Sequence, residues 1–305
     1  MSELRADPLS PIDAATLWPQ LGRLGAELAT GTQGESLFVS SSLAATGLSR
    51  LPKLPKTVVL GVRRGLRYRG VLVARELATT GWEIVSLRIA RQNDCEALAA
   101  LLGGCGLEIA RRDGRTVYFR CAEDITYRDD LRRAGFFPYT RELLYQLPPR
   151  PNDGADWVFR PAQRIDRQAI FRLYCRVVPE HIRRNEAPVQ QDWRAVHASY
   201  DCDEEFVLEA DGAITGWLGL GGRETHLLFE PGAHDALEAA LDLTERHSRG
   251  GLLVLPEYQF EVERLANERG YHAAGSRLVN ARRLALLQPL KEVLAVPADS
   301  YPVPQ

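Results

Sequence analysis

A dense group of side chains that could bind a charged ligand lies at residues 63–70, RRGLRYRG, where four arginines surround Tyr68. Guanidinium groups bind phosphate oxygens through paired hydrogen bonds, so this stretch could hold a phosphate or a nucleic acid. The chain as a whole is not basic, because 38 Lys and Arg residues are balanced by 40 Asp and Glu residues. We therefore expect a solvated hairpin here and no nucleic-acid partner.

Histidine and cysteine could bind a metal, but their spacing does not favour one. The five cysteines are scattered, and neither a Cys-x-x-Cys pair nor a Cys/His spacing indicates zinc. The histidines at 197, 226, 247 and 272 likewise lack a partner at ligand spacing. We expect no metal, and ordinary reduced thiols.

The expected compartment follows from two further features. The N-terminus, MSELRADPLSPIDAATLW, has neither the basic region nor the apolar region of a secretion signal. The apolar runs are far shorter than the ~20 residues that cross a bilayer. We predict a cytoplasmic protein with no membrane partner.

The second half of the chain alternates strands and helices. Apolar residues at helical spacing in 165–178 predict a helix that Pro179 ends. Asp211-Gly212 between two apolar stretches predicts a β-hairpin, and the apolar run at 251–255 predicts a strand buried on both faces. From the strand WVFRPA at residue 157 to the strand SRLVNARRLALL, the predicted order is β-α-α-β-β-β-α-β-α-β.

The first half repeats the later part of that order. Its predicted elements are the strands KTVVLGVRR, YRGVLVARE and WEIVSLRIA, a helix from Asp94, the strand TVYFRCA, the helix DITYRDDLRRAG and the strand FFPYTRELLYQL. Residues 9–55 are less legible, with WPQLGRLGAEL typical of a helix and SLFVSS typical of a strand. Both halves indicate the α/β class with a mixed sheet.

Proline and glycine mark the predicted domain boundaries. PPRPNDGAD, residues 148–156, can continue neither a helix nor a central strand, so it predicts a linker. We predict an N-terminal domain at 1–147, a C-terminal domain at 157–290 and a Pro-rich tail at 291–305.

The same local signature closes both halves. A polar helical stretch ends in a glycine and an aromatic residue, Gly135-Phe136 and Gly270-Tyr271, before an apolar strand. The two glycines lie 135 positions apart (270 minus 135). Only glycine takes the left-handed conformation at a helix C-terminus without strain. Two such caps within a matching element order predict one fold used twice.

This element order, with its closing helix, Gly-aromatic pair and strand, resembles the GNAT superfamily of acyl-CoA-dependent N-acyltransferases. The resemblance covers residues 155–287 and, less fully, 56–147. It implies two tandem GNAT-like folds, in each of which strand four splays from strand five beside the start of a helix. In the family, pantetheine pairs with the edge of strand four. The diphosphate binds at the helix N-terminus, where orphan N–H groups and the helix dipole favour an anion.

The family's phosphate loop, Arg/Gln-x-x-Gly-x-Gly/Ala, falls on FEPGAHDALEAAL in the second half. His234 takes the first position, Leu237 the first glycine and Ala239 the last position. An exposed residue near the helix N-cap is the alternative for His234. The acetyl-CoA contacts that the resemblance implies are Leu228, Phe229, His234, Asp235, Ala236, Leu237 and Ala239.

The first half departs further from that loop. In IARQNDCEALAALL, Asp94 stands at the arginine position and Ala97 at the first glycine. A carboxylate repels a diphosphate by several tenths to about 1 kcal/mol even when screened. We predict that Asp94 is the N-cap of its helix and that this half binds no acyl-CoA.

The family's usual catalytic acid is a tyrosine four residues before the closing glycine, and Leu131 and Ala266 hold that position here. The resemblance points instead to Tyr258 as the acid for the leaving thiolate and to Glu224 as the base for the acceptor amine. A plain surface or half-buried residue is the alternative for each. Trp217 is expected in the core.

Two functions remain open from the sequence. One is an acyl-CoA-dependent N-acyltransferase that acts from the second half on the amine of a small molecule or peptide, with acetyl-CoA as co-substrate. Residues 181–186, HIRRNE, lie where family members shape the acceptor pocket and could contact an acidic substrate. The other is a catalytically silent GNAT-fold module for binding or assembly, which the missing glycines and tyrosines favour. A homodimer is compatible with both.

Overall fold

The computed structural model describes residues 4–10, 13, 17, 20, 24–25, 27–30, 56–77, 80–91, 93–148, 159–200, 202–247 and 251–285. The predictions for the strand SLFVSS, the rest of the linker after residue 148 and the tail fall outside these residues.

The described part of the first half contains six strands and two helices. They are β1 (Asp7–Pro8), β2 (Thr57–Arg64), β3 (Arg67–Glu76), β4 (Gly81–Ile89), α1 (Cys95–Ala110), β5 (Thr116–Ala122), α2 (Arg128–Arg133) and β6 (Phe137–Gln146).

The described part of the second half contains six strands and five α-helices, with a 3-10 turn at Arg164–Asp166. They are β7 (Arg160–Pro161), α3 (Arg167–Val177), α4 (Glu180–Glu186), α5 (Gln190–Ser199), β8 (Glu204–Ala210), β9 (Ala213–Leu220), β10 (Glu224–Phe229), α6 (His234–His247), β11 (Leu252–Pro256), α7 (Phe260–Glu268) and β12 (His272–Arg283).

The predicted repeat of element order is confirmed. The order β-β-β-α-β-α-β occurs from β2 to β6 and again from β8 to β12. Both predicted hairpins turn where the sequence indicated, with positive φ angles at Gly65 (62°), Asp211 (52°) and Gly212 (73°). Helix α4, over HIRRNE, was not predicted as a helix.

The two Gly-aromatic pairs form the same helix end. Gly135 and Gly270 have φ angles of 84° and 77°. The N–H of the aromatic residue that follows each glycine donates to the carbonyl five residues back, at 2.9 Å in both cases. The glycine N–H donates to the carbonyl three residues back, which completes a Schellman motif. Phe136 and Tyr271 are buried, so each pair both ends a helix and anchors the next strand.

The twelve described strands form one sheet in the order β1-β2-β3-β4-β5-β12-β6-β11-β10-β9-β8-β7. The halves exchange their last strands: β6 pairs with β11 of the second half, and β12 pairs with β5 of the first half. These two strands also pair with each other, antiparallel, at the centre. The strands of each half are therefore completed by a strand from the other half. The predicted boundary between 147 and 157 did not anticipate this exchange.

The fourth and fifth strands of each half separate as expected. β4 pairs with β5 over four residues only, although β4 continues to Ile89. β10 pairs with β11 over three residues only, although β10 continues to Phe229. We call these gaps the first-half cleft (β4 and β5) and the second-half cleft (β10 and β11). Each widens toward the start of the following helix, α1 or α6.

Helices cover both faces of the sheet in the second half. On one face, α6 and α7 bury Leu237, Leu241 and Leu265. On the other, α3, α4 and α5 bury side chains that include Leu173 and Trp193. In the first half, α1 and α2 cover one face, and described residues that precede β2 pack on the other.

A chain of buried ion pairs crosses the exchanged strands. Its members alternate in charge along Arg75, Glu83, Arg120, Glu142, Arg277 and Glu224. Arg277 is 1% exposed and bridges Glu142 of the first half to Glu224 of the second. Burial raises the pKa of Glu142, but the charges of Arg277 and Arg120 outweigh burial and leave that pKa below its usual value. Such charges are tolerated in the interior only while they are paired.

Arg277→Met should lower the free energy of unfolding by about 3–5 kcal/mol, because it leaves two buried carboxylates without their shared cation. Chemical denaturation followed by circular dichroism measures the loss. The matched control is Arg264→Met, which removes an exposed pair with Glu268 and should cost no more than about 1 kcal/mol. Equal losses in the two variants would contradict a structural role for the buried chain.

Candidate functional site

Residues from the N-terminal part of the chain occupy the first-half cleft. Backbone N–H groups of Gly25 and Leu28 donate to carbonyls of β4, each at 2.9 Å, and the Thr30 N–H donates to a carbonyl of β5 at 3.0 Å. The Glu27 carboxylate accepts from the Leu87 N–H at 2.5 Å and also from a hydroxyl of β4. We call these residues, 24–25 and 27–30, the N-terminal segment. It uses hydrogen-bonding groups on both strands that border the cleft.

The start of α1 carries a fixed negative charge. The Asp94 carboxylate accepts from the Ala97 N–H at 3.1 Å, which confirms the predicted N-cap. Arg69 donates to both oxygens of Asp94, at 2.6 and 2.9 Å. Burial raises the pKa of Asp94, but these hydrogen bonds and the nearby arginines outweigh it, and the net pKa is lowered.

The second-half cleft is closed at its apex by one side chain. Gln259, in the turn after β11, donates its Nε2 to the Leu227 carbonyl at 2.7 Å. The Gln259 side chain is buried, and its Oε1 has no hydrogen-bond partner among the described residues. Beyond His226, β10 forms no ladder with β11 within the described strands.

A small cavity of about 20 Å3 lies beside that apex. We call it the central cavity. The polar and aromatic side chains that line it belong to Glu142, Tyr174, Trp193, His197, Tyr200, Trp217, His226, Tyr258 and Gln259. Tyr200 stacks on His226 with ring centroids 4.3 Å apart. Titratable groups gathered around one cavity are typical of a functional site.

Glu186, the last residue of α4, is a buried carboxylate beside the cavity. Its Oε2 accepts from the Tyr174 hydroxyl at 2.9 Å and its Oε1 from the Tyr139 hydroxyl at 3.4 Å. Burial raises the pKa of Glu186 to about 7, although the hydrogen bond from Tyr174 opposes the rise. A carboxyl group with a pKa near neutrality can exchange a proton at physiological pH.

Tyr258 and Trp217, both singled out from the sequence, lie at this cavity. Tyr258 lines it from the turn after β11. Burial first, and then the negative charges of Glu186 and Glu142, raise the pKa of Tyr258 well above its ordinary value, so the hydroxyl keeps its proton. Trp217 is 2% exposed in the core, as expected, and also borders the cavity.

Glu224 lies elsewhere, at the start of β10 in the buried chain of ion pairs. Both of its oxygens accept from Arg277, at 2.7 and 2.9 Å. Burial raises the pKa of Glu224. His226 and Arg277 have the larger, opposite effect, so the pKa lies well below its usual value. A carboxylate held in this way is a weak base, so the geometry does not favour the base function predicted for Glu224.

The two predicted contacts on β10 face opposite sides of the sheet. Leu228 lines the central cavity. Phe229 packs in the core under α6, edge-on to Phe159 with ring centroids 6.1 Å apart. Adjacent residues of a strand alternate in this way, so only Leu228 is placed to contact a molecule in the cavity.

The five predicted contacts on α6 divide between surface and core. His234 and Asp235 are exposed in the first turn. Leu237 is 2% exposed, and Ala236 and Ala239 pack partly against the same core. Two side chains at the start of α6 are therefore available to a ligand, and one of them is acidic.

A carboxylate already contacts the turn before α6. Glu261 of α7 accepts from the Gly232 N–H at 3.0 Å. Gly232 has a φ of 83°, a conformation that glycine adopts freely. An anion bound at the start of α6 would have to displace or neutralise Glu261.

The described residues offer neither a metal site nor a membrane-spanning helix. Across the described residues, no group of three or more His, Cys, Asp or Glu side chains is placed to hold a metal ion. None of the helices described above is long and apolar enough to cross a membrane.

Sequence analysis missed Glu186, Tyr174 and the N-terminal segment as parts of the clefts. Tyr174 was predicted only as part of the helix at 165–178. The position of Glu186 at the end of HIRRNE, in the stretch expected near the acceptor pocket, was the one signal available for it.

No protein-family model matches the sequence, and no match was found among curated proteins. Solved structures do match the fold. A GCN5-related N-acetyltransferase from Sphaerobacter thermophilus has 14% sequence identity and a TM-score of 0.52, over 93% of this chain and 96% of its own. The tandem GNAT protein from the clavulanic acid biosynthesis pathway has 14% identity and a TM-score of 0.50, over 92% and 98%.

Both likenesses span nearly the whole chain at low sequence identity, so what they establish is the fold. They agree with the repeated element order of the two halves. The chain has the GNAT fold, twice in tandem.

Proposed function

We propose that the protein is an acyl-CoA-dependent N-acyltransferase whose acyl-transfer site lies in the second half. The observation that supports this is the difference between the clefts. The N-terminal segment fills the first-half cleft, whereas a cavity with a titratable lining adjoins the second-half cleft. Acetyl-CoA is the co-substrate, and the amine of a small molecule or peptide is the acceptor. The first half is the structural partner, in a cytoplasmic protein.

In this proposal, the pantetheine arm lies along the unpaired part of β10 with Leu228 beside the acyl group. The diphosphate lies at the start of α6, near His234, where free N–H groups favour an anion. Binding requires Gln259 to release the Leu227 carbonyl and Glu261 to release the Gly232 N–H. Both are side-chain rotations, so the sheet need not move.

Glu186 and Tyr174 form the proposed proton path for the acceptor. The acceptor ammonium transfers a proton to the Tyr174 oxygen while the Tyr174 hydroxyl proton passes to Glu186 Oε2, 2.9 Å away. The free amine then attacks the thioester carbonyl, since only an unprotonated amine is nucleophilic. Tyr258 donates its proton to the thiolate that leaves and takes up the second proton that the nitrogen loses as the amide forms, so Glu186 alone ends the step protonated.

A catalytically silent binding module is the second candidate, and specific contacts favour it. Gln259 and Glu261 occupy the cleft apex and the turn before α6. The central cavity, about 20 Å3, has room for little more than one water molecule unless it opens. Binding of acetyl-CoA distinguishes the two candidates.

Acetyl-CoA at a hundred times its dissociation constant should raise the free energy of unfolding by about 2.7 kcal/mol, measurable as a thermal shift. His234→Asp should weaken this binding about fivefold, because it places a carboxylate beside the diphosphate. His272→Asp, an exposed change on β12, is the matched control.

The absence of any shift with millimolar acetyl-CoA, propionyl-CoA or free CoA would favour the silent module. Unchanged acetyl-CoA affinity in the His234→Asp variant would mean that the diphosphate does not bind at the start of α6.

Because of Glu186, activity should rise with pH while the free energy of unfolding falls. The value of kcat/KM should rise through about pH 7, because only ionised Glu186 accepts a proton. The stabilisation from a carboxyl with a raised folded pKa is complete below its ordinary pKa of 4.5 and is lost as the pH rises through about 7. Glu186→Gln should flatten both profiles and lower kcat about 10²–10⁴-fold.

The control for this experiment is Glu180→Gln, an exposed change on the same helix. A Glu186→Gln variant with the wild-type rate and pH profile would eliminate Glu186 as the base.

Tyr258→Phe should lower kcat about 10²-fold or more with little change in acetyl-CoA affinity, because the hydroxyl acts on the leaving thiolate. An aryl thioester, whose thiolate leaves without a proton, should restore most of the rate. A variant that is equally slow with both thioesters would mean that Tyr258 is not the acid.

A further inference from the structure

We propose that the first half carries a separate binding site for a small molecule with a di- or triphosphate group. The site is a cavity of about 530 Å3 between the β2–β3 hairpin and the junction of β4 with α1. Arg64, Arg67, Tyr68, Arg69 and Arg91 line it, and we call it the arginine pocket. Half of the stretch RRGLRYRG lines it, and for this stretch the sequence predicted a solvated hairpin.

Three of these arginines make no direct contact with an acidic group among the described residues, although the charge of Arg91 also acts on Asp94. Within the described part of the chain, Arg64, Arg67 and Arg91 form no ion pair and no side-chain hydrogen bond. Arg64 also lies directly opposite Arg67 in the hairpin register. Like charges at such a pair of positions destabilise a hairpin. A bound anion would relieve this repulsion.

The fourth arginine, Arg69, neutralises the acidic side of the pocket. Asp94 also lines the cavity, where a free carboxylate would repel phosphate. Arg69 donates to both Asp94 oxygens and also contacts Glu96 at 3.1 Å. The three remaining guanidinium groups are thereby left to the ligand.

The shape and charge of the pocket favour a small ligand. Its volume falls within the ~300–1,000 Å3 of small-molecule sites. A guanidinium group pairs with two phosphate oxygens, so three of them match the oxygens and charge of a di- or triphosphate. Nucleic acid is bound by extended basic surfaces, whereas this chain has a net charge of −2.

Isothermal titration of the full-length protein with inorganic pyrophosphate, and then with ADP, tests the proposal. We expect both to bind, with an affinity that falls as salt is added. The double variant Arg64→Ala/Arg67→Ala should weaken both about 100-fold, since two charged hydrogen-bonding groups are lost. Both residues are exposed and flank a two-residue turn, so the fold should persist.

Three variants serve as controls and as a second test. Arg172→Ala/Arg194→Ala removes the same charge from exposed positions of α3 and α5 and should leave pyrophosphate affinity unchanged. Arg91→Ala, which lies outside the hairpin, should weaken binding about tenfold even if the hairpin variant does not fold. His234→Asp should have no effect, since it reports on the start of α6.

Several outcomes would overturn the proposal. They are no binding of pyrophosphate or ADP at millimolar concentration, equal weakening in the Arg172→Ala/Arg194→Ala variant, and weakening in His234→Asp alone. Tighter binding of a 20-nucleotide single-stranded DNA than of ADP, lost in the same hairpin variant, would indicate a nucleic-acid surface instead.

Discussion

The architecture depends on the buried ion pairs of Arg277. Arg277 lies in β12, pairs with Glu142 on β6 and reaches Glu224 on β10, so one guanidinium joins the exchanged strands to the second half. Arg120 and Glu83 continue the alternation into the first half. Buried charges at these positions require one particular register, because a shift by one residue would place them on the opposite face without partners. The ion pairs therefore specify how the two halves share a sheet.

The shared sheet brings together two copies of the fold that differ at their clefts. In the first half, the N-terminal segment takes the hydrogen bonds that the strand edges offer. In the second half, Gln259 holds only the apex, and tyrosines surround the space beside it. Two hydroxyls from the first half also donate to Glu186, that of Tyr118 to its backbone carbonyl and that of Tyr139 to its carboxylate. The first half thus contributes side chains to the environment of the candidate site.

Local features were predictable from the sequence, and distant pairings were not. The caps at Gly135 and Gly270, the turn at Asp211-Gly212 and the N-cap at Asp94 each depend on a few neighbouring residues. The strand exchange depends on contacts between residues more than a hundred positions apart, which no local pattern encodes. Glu186 shows the same limit: it follows the exposed residues Arg184 and Asn185 in a polar helix, and its burial is set by tyrosines of α3 and β6.

The strand exchange also constrains the order in which the molecule can be made. Ala122 of β5 is paired with Arg277 of β12, which lies 155 positions later (277 minus 122). During synthesis, the N-terminal portion therefore leaves the ribosome with one side of β5 unpaired. That strand edge stays exposed until nearly all of the chain has been translated, a period in which nascent chains are prone to pair with the wrong partner.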